Sequence, residues 1–185
     1  MNSELVLPFH FEQSVNLAAP PGVVFDYADD FAHFGEHMMR SSWMMAGSRM
    51  RYEFDGAGGK AIGAKVRLVG SILGAPLEIE EYVIERIAPL SKAWETAGNP
   101  RMLILSAYRM GFEITPQATG CRLRVFIDYA FPPKGDGLWA GRIAGGWYAR
   151  WCVRSIAVGA VKRFGPVGSH SSEHSSKPIQ RSTSA

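Results

Sequence analysis

The sequence predicts an α+β domain in which a single antiparallel sheet of about seven strands is covered by a long C-terminal helix. Three observations carry this. From Ser48 to Phe131 the chain passes through strand patterns separated by tight turns, and strands joined so closely must be antiparallel, because parallel neighbours need a crossover. A sheet of that kind has one face to cover. A long helical segment then follows, opened by Asp136 and stopped by Gly165-Pro166, the order of residues that starts and ends a helix.

His10 to Leu17 alternates, with Phe11, Val15 and Leu17 on one side and Glu12, Ser14 and Asn16 on the other, the period of a half-buried strand. Pro20-Pro21 ends it and opens a helix, since proline at a first helical position loses no hydrogen bond. Two short helical pieces are expected between Gly22 and about Trp43, with Asp29-Asp30 capping the second. Met50, Tyr52 and Phe54 then alternate with Arg49, Arg51 and Glu53, and Asp55 to Gly59 forms a turn. A strand from Val66 runs toward Ile72, and Gly74-Ala75-Pro76 makes a corner. Leu77 to Ile87 is a strand whose alternation breaks around Glu80-Glu81, where a bulge is expected. Ser91 to Ala97 carries Trp94. Leu103 to Thr115, the Thr119-Gly120 turn and Arg122 to Phe131 complete the sheet. The helix is expected from about Gly137 to Phe164.

Composition narrows the function classes. The 185 residues are 46% hydrophobic and 20% charged, enough apolar matter for a packed core. Lys+Arg 20 against Asp+Glu 17 leaves a net charge of only +3, too small an excess to suggest a nucleic-acid binder. The two cysteines, Cys121 and Cys152, cannot make a disulfide framework and point to a reducing, cytoplasmic setting. The N-terminus has no basic region followed by an apolar run, so no secretory signal is expected. The longest uncharged apolar stretch, Leu68 to Leu77, falls far short of the roughly 20 residues that span a bilayer. Residues 1–8 read as an extension, 9–165 as the domain and 166–185, rich in serine and histidine, as a disordered tail.

Three segments resemble a known superfamily. The run Val15-Asn16-Leu17-Ala18-Ala19-Pro20-Pro21-Gly22-Val23-Val24-Phe25-Asp26-Tyr27, the Ile87-Ala88-Pro89 corner before the Trp94 strand, and Gly120 before Arg122-Leu123-Arg124-Val125 are similar to the START-like (SRPBCC) helix-grip proteins, including the polyketide cyclase/dehydrase and lipid-transport group. The resemblance covers Phe9 to Phe164. It implies a curved sheet gripping the long helix, with an apolar cavity between them. The inner strand positions and the helix then give the candidate cavity-lining set: Tyr52, Phe54, Trp94, Tyr108, Met110, Phe112, Ile127, Tyr129, Trp147 and Trp151. Taken one at a time, these residues read as ordinary core, and it is the resemblance that raises the cavity reading.

Candidate chemistry is sparse. Asp29, His33 and His37 fall at i, i+4 and i+8 on one helix face, a spacing that suits imidazole and carboxylate ligands. The segment is not His-Glu-x-x-His and no further ligand can be placed, so a solvated face is the reading and no metal is expected. Met38, Met39, Met44 and Met45 around Trp43 read either as a pliable pocket entrance or as a core edge. The long helix carries Arg142, Arg150, Arg154, Lys162 and Arg163 with Trp139, Trp147, Tyr148 and Trp151. Such a helix can lie on an anionic membrane or hold a ligand anion, but its charges spread around the helix and read as snorkelling cations. Gly141, Gly145, Cys152 and Gly159 make a seam of small residues. No nucleophile triad, Cys-His pair or phosphate loop can be assembled, and both cysteines read as structural. No catalytic residue and no cofactor are assigned.

The leading expectation is therefore a carrier or sensor for a small hydrophobic ligand, lipid or polyketide-like. An enzyme of the cyclase or dehydratase type is the alternative, and a membrane-surface or partner-binding module using the basic helix is a third. No protein partner is evident. Gln13, Ser106, Tyr108 and Tyr129 are the polar residues expected on inward strand positions.

Overall fold

The computed structural model describes residues 6–31, 50–72, 75–97, 105–132 and 138–167. Strand β1 (Phe9–Leu17) leads into helix α1 (Pro21–Asp29). Six strands follow: β2 (Met50–Phe54), β3 (Lys65–Ile72), β4 (Ala75–Ile87), β5 (Ser91–Thr96), β6 (Ala107–Pro116) and β7 (Cys121–Ala130). Helix α2 (Leu138–Phe164) comes last. The seven strands form one sheet in the order β1-β7-β6-β5-β4-β3-β2, with antiparallel pairing throughout. Six of the strands run in sequence as hairpins, and β1 joins the far end by pairing with β7. The second short helical piece, His33, His37 and the methionines around Trp43 lie outside the described residues.

The register sorts the side chains onto two faces. Outward positions are charged and paired across strands: Arg124 donates to Glu12 and Glu113, Arg67 to Glu78 and Glu53, and Arg109 to Glu95. Outward Phe126 lies over Gly111, where a Cβ would stand 2.8 Å from the ring. The other face carries the core, which includes Val66, Leu68, Val83, Trp94, Phe112, Leu123, Val125 and Ile127. Helix α1 packs Phe25 edge-to-face on Phe112 at 5.7 Å. Helix α2 packs over β1 and β7 through Ala149, Cys152, Val153, Ile156 and Ala160, all buried. Val153 and Ile156 supply bulk to this contact beside the smaller Ala149, Cys152 and Ala160; of the small-residue seam, Cys152 lies in it, while Gly159 stands near Tyr27.

Two expectations are corrected. The bulge in β4 lies between Val83 and Glu85, not at Glu80-Glu81; Ile84 is the extra residue, and pairing with β3 is regular through Glu80 and Glu81. Trp147 does not face the sheet: it is 51% exposed, because the inward positions of α2 are Tyr148, Ala149, Cys152 and Val153, one helical stripe that leaves residue 147 outside. Asp29 ends α1 and is buried there in an ion-pair cluster; the second helical piece that Asp29-Asp30 is expected to cap lies outside the described residues.

The chain ends of the domain are tied together. The Ala18 N–H donates to the Gly165 carbonyl at 3.1 Å, and the Val167 N–H to the Asn16 carbonyl at 3.3 Å. Pro166 bridges Leu17, so attachment to β1 continues two residues beyond Gly165. Gly165 itself has φ 72°, the left-handed conformation that ends a helix. Among the described residues no helix is long and apolar enough to cross a membrane.

Candidate functional site

The inner face holds a carboxyl group that the sequence did not place there. Ile79, Glu81 and Val83 alternate inward along β4, so Glu81 is directed at the core and is only 3% exposed. Its register partners are Val66 on β3 and Thr96 on β5. The Tyr108 hydroxyl donates to Glu81 Oε1, and the Trp94 indole N–H donates to the same carboxyl group. Burial pushes the Glu81 carboxyl up to about 7, against the pull of those hydrogen bonds and of Lys92.

Tyr108 is held by its backbone. The ladder between β5 and β6 ends at Glu95 and Arg109. The Thr96 hydroxyl continues it, accepting from the Tyr108 N–H at 3.1 Å and donating to the Tyr108 carbonyl at 3.3 Å. A side chain thus supplies the next rung and fixes the residue whose phenol reaches Glu81.

Two further phenols feel the same carboxyl group: Tyr52 from β2 and Tyr148 from α2. Burial raises the hydroxyls of Tyr52, Tyr108 and Tyr148 well above the ordinary tyrosine range, with the Glu81 charge adding to it. All three nevertheless keep part of their surface uncovered, as does Trp151, whose ring lies 5.9 Å from Tyr148. The Tyr148 hydroxyl donates to Cys152, and burial pushes that thiol up to about 12. A thiol held protonated is no nucleophile at neutral pH, which fits the structural reading of Cys152.

The expected cavity-lining residues divide into groups. Tyr52, Trp94 and Tyr108 gather around Glu81, and Trp151 flanks them through Tyr148. Met110, Ile127 and Tyr129 are buried in the core cluster, and Phe112 is fully buried against Phe25. Phe54 is 42% exposed and lies at the rim, stacked on Tyr52 at 5.9 Å. Trp147 lies outside, as described above.

A second buried polar cluster is structural. Asp29 accepts from Arg86 Nε and Nη2 at 3.1 and 2.9 Å. Lys92 Nζ stands 2.8 Å from Asp29 Oδ1 and donates to the Asp29 carbonyl at 2.8 Å. Burial opposes the charge on Asp29, but these cations outweigh it and hold the carboxyl below its usual range. Lys92, 1% exposed, also lies 4.2 Å over the Phe31 ring. The cluster clamps the end of α1 onto β4 and β5, and it commits the one member of the Asp29, His33 and His37 set that is described.

A seven-stranded antiparallel sheet closed by α1 and α2, with its inner face aromatic, defines a START-like helix-grip protein. More narrowly, the family profile described as polyketide cyclase/dehydrase and lipid transport matches residues 8–162, and the chain belongs to that family. Its fold is similar to the crystal structure of Ara h 8.0201, with TM-score 0.58 and 12% identity over 84% of this chain and 96% of that one. A solution structure from Thermobifida fusca gives TM-score 0.58 and 18% identity, over 84% and 93% of the two chains. The di-domain ARO/CYC StfQ of the steffimycin biosynthetic pathway gives TM-score 0.57 and 12% identity; 83% of this chain covers 48% of that one, about half its length. None of the curated proteins compared matches the chain.

Proposed function

We propose that the protein binds a small hydrophobic molecule between the sheet and α2 and acts as its carrier or sensor. One observation carries the reading. Tyr52, Tyr108 and Tyr148 are surrounded deeply enough by protein to lose hydration of their charged forms, yet each keeps uncovered surface. A group in that condition borders a hollow better than it borders bulk water. Family membership supports the same reading. A fluorescent fatty acid or a polycyclic aromatic should bind at micromolar levels, about −8 kcal/mol, and shift the emission of Trp94 or Trp151. Met110→Trp should block binding while the protein still folds. In a filled interior it would instead destabilise by about 1–3 kcal/mol; that outcome, with no binding to the unmutated protein, would overturn the reading.

A cyclase-type enzyme is the second reading, and Glu81 is the observation that favours it. A buried carboxyl group that titrates at about 7 can take or give a proton at neutral pH. Deuterium exchange at the activated methylene of a bound 1,3-diketone, lost in Glu81→Gln, would support it; exchange at the solution rate would exclude that role.

A further inference from the structure

A site for purely apolar cargo has no use for a buried carboxyl group. Glu81 offers about four acceptor positions, and among the described residues Tyr108 and Trp94 are the two donors assigned to it. Glu81 itself is covered, whereas Tyr108, whose hydroxyl touches it, keeps part of its residue surface uncovered. A molecule in the interior would therefore meet Tyr108 first and Glu81 through it.

We propose that Glu81 and Tyr108 form a two-way hydrogen-bond relay that anchors a single oxygen of an otherwise apolar ligand. Resting on the hydrophobic-ligand reading above, this names the ligand class: a phenol or alcohol in one state of the relay, a ketone or aldehyde in the other. With Glu81 ionised, the Tyr108 proton points at the carboxylate, and Tyr108 Oη is left to accept from a ligand hydroxyl. With Glu81 protonated, its own O–H donates to Tyr108 Oη, and the Tyr108 proton is released toward a ligand carbonyl. The one bond formed is the Glu81 O–H, from a proton taken up from solvent, and that uptake reverses the direction of both hydrogen bonds.

The groups facing Glu81 leave it as the one that changes charge near neutrality. Tyr52 from β2, Tyr108 from β6 and Tyr148 from α2 have their hydroxyls pushed up and stay neutral. Cys152 from α2 is raised to about 12. Lys92 from β5 is drawn down by its burial but is paired with Asp29, which holds its positive form. The switch between the two states of the relay is thus set by Glu81, at about pH 7.

The test uses three probes with one ring system, naphthalene, 2-naphthol and 2-acetonaphthone, titrated into the full chain at pH 5.5 and pH 8. Naphthalene should bind equally at both. At pH 8, 2-naphthol should bind about tenfold more tightly than naphthalene, as one hydrogen bond into a charged pair allows; 2-acetonaphthone should show its advantage at pH 5.5 instead. Tyr108→Phe should abolish both preferences and keep naphthalene binding. Glu81→Gln should abolish the pH dependence alone, so one variant that fails to fold still leaves the other informative. Naphthalene binding with no preference for either oxygenated probe would overturn the relay and leave the hydrophobic-ligand reading standing. If no probe binds the folded wild-type chain, that reading fails and the relay with it.

Discussion

Substituting Glu81 by Gln should make the protein more stable at pH 8, and the size of the effect follows from where the carboxyl group sits. In the unfolded chain Glu81 titrates near 4.5, and in the fold at about 7. Between those values the folded state holds a proton that the unfolded state has released. Stability therefore falls as pH rises from about 4.5, and the loss is complete above about 7. A tenfold change corresponds to about 1.4 kcal/mol, so the full loss is about 3 kcal/mol. Gln has nearly the same shape, and its amide oxygen can still accept from Tyr108 or Trp94, but it carries no charge to desolvate. Urea unfolding should give wild type and Glu81→Gln within about 1 kcal/mol of each other at pH 5. At pH 8 the variant should lead by about 2–3 kcal/mol. His10 also responds to pH: its hydrogen bond to Asp128 raises it above 6.5, so its stabilising contribution is lost as pH rises beyond that value. It is exposed and present in both proteins, so the comparison cancels it. Parallel stability curves for the two proteins from pH 5 to 8 would refute the argument, because the carboxyl group would then carry no burial penalty.

Three further outcomes are expected. Asp29→Asn should destabilise by about 3–5 kcal/mol at neutral pH, since it leaves Lys92 buried without its counter-charge; chemical denaturation of the double variant Asp29→Asn/Lys92→Met should show a loss smaller than the sum of the single ones. Gly120→Ala should lower stability by about 3 kcal/mol, because Gly120 has φ 92° and a Cβ there would stand 2.0 Å from the Leu17 carbonyl oxygen; a thermal midpoint unchanged from wild type would contradict the geometry. A chain ending after Val167 should keep its thermal midpoint within a few degrees, while one ending after Gly165 should lose more, since it gives up the Pro166 bridge and the Val167 hydrogen bond to Asn16. Equal midpoints would mean that those two residues hold nothing.

The architecture was legible because its signals are local. Alternation gave the strands, and Pro21 and Gly165 marked helix ends through backbone preferences that distant contacts do not override. The place of β1 was not legible, since pairing Leu17 with Cys121 across more than a hundred residues leaves no mark in either strand. Trp147 was misplaced for a related reason: α2 is apolar around much of its girth, so aromatic content alone does not say which stripe meets the sheet. The buried residues Ala149, Cys152, Val153, Ile156 and Ala160 mark that stripe.

Glu81 shows how a site can hide in a legible pattern. Ile79, Glu81 and Val83 form an unbroken period of two, and the same period from Lys92 through Trp94 to Thr96 puts another polar pair on the inner face. Treating Glu81 as a break in the strand assumes that a carboxyl group must face water. Under that assumption the bulge moves to Glu80-Glu81 and the charge turns outward; without it, the bulge falls at Ile84, where two successive exposed residues, Ile84 and Glu85, leave the alternation. The distinction matters because a one-residue shift exchanges the two faces of a strand. Placing the bulge after Val83 keeps Glu81 under Tyr108 and, by the same shift, turns Arg86 inward to meet Asp29. One irregularity in β4 therefore positions both buried polar clusters, and deleting Ile84, the unpaired residue, should close the ladder with Val83 opposite Trp94 and Arg86 opposite Lys92, keeping Arg86 on Asp29 and Glu81 on Tyr108.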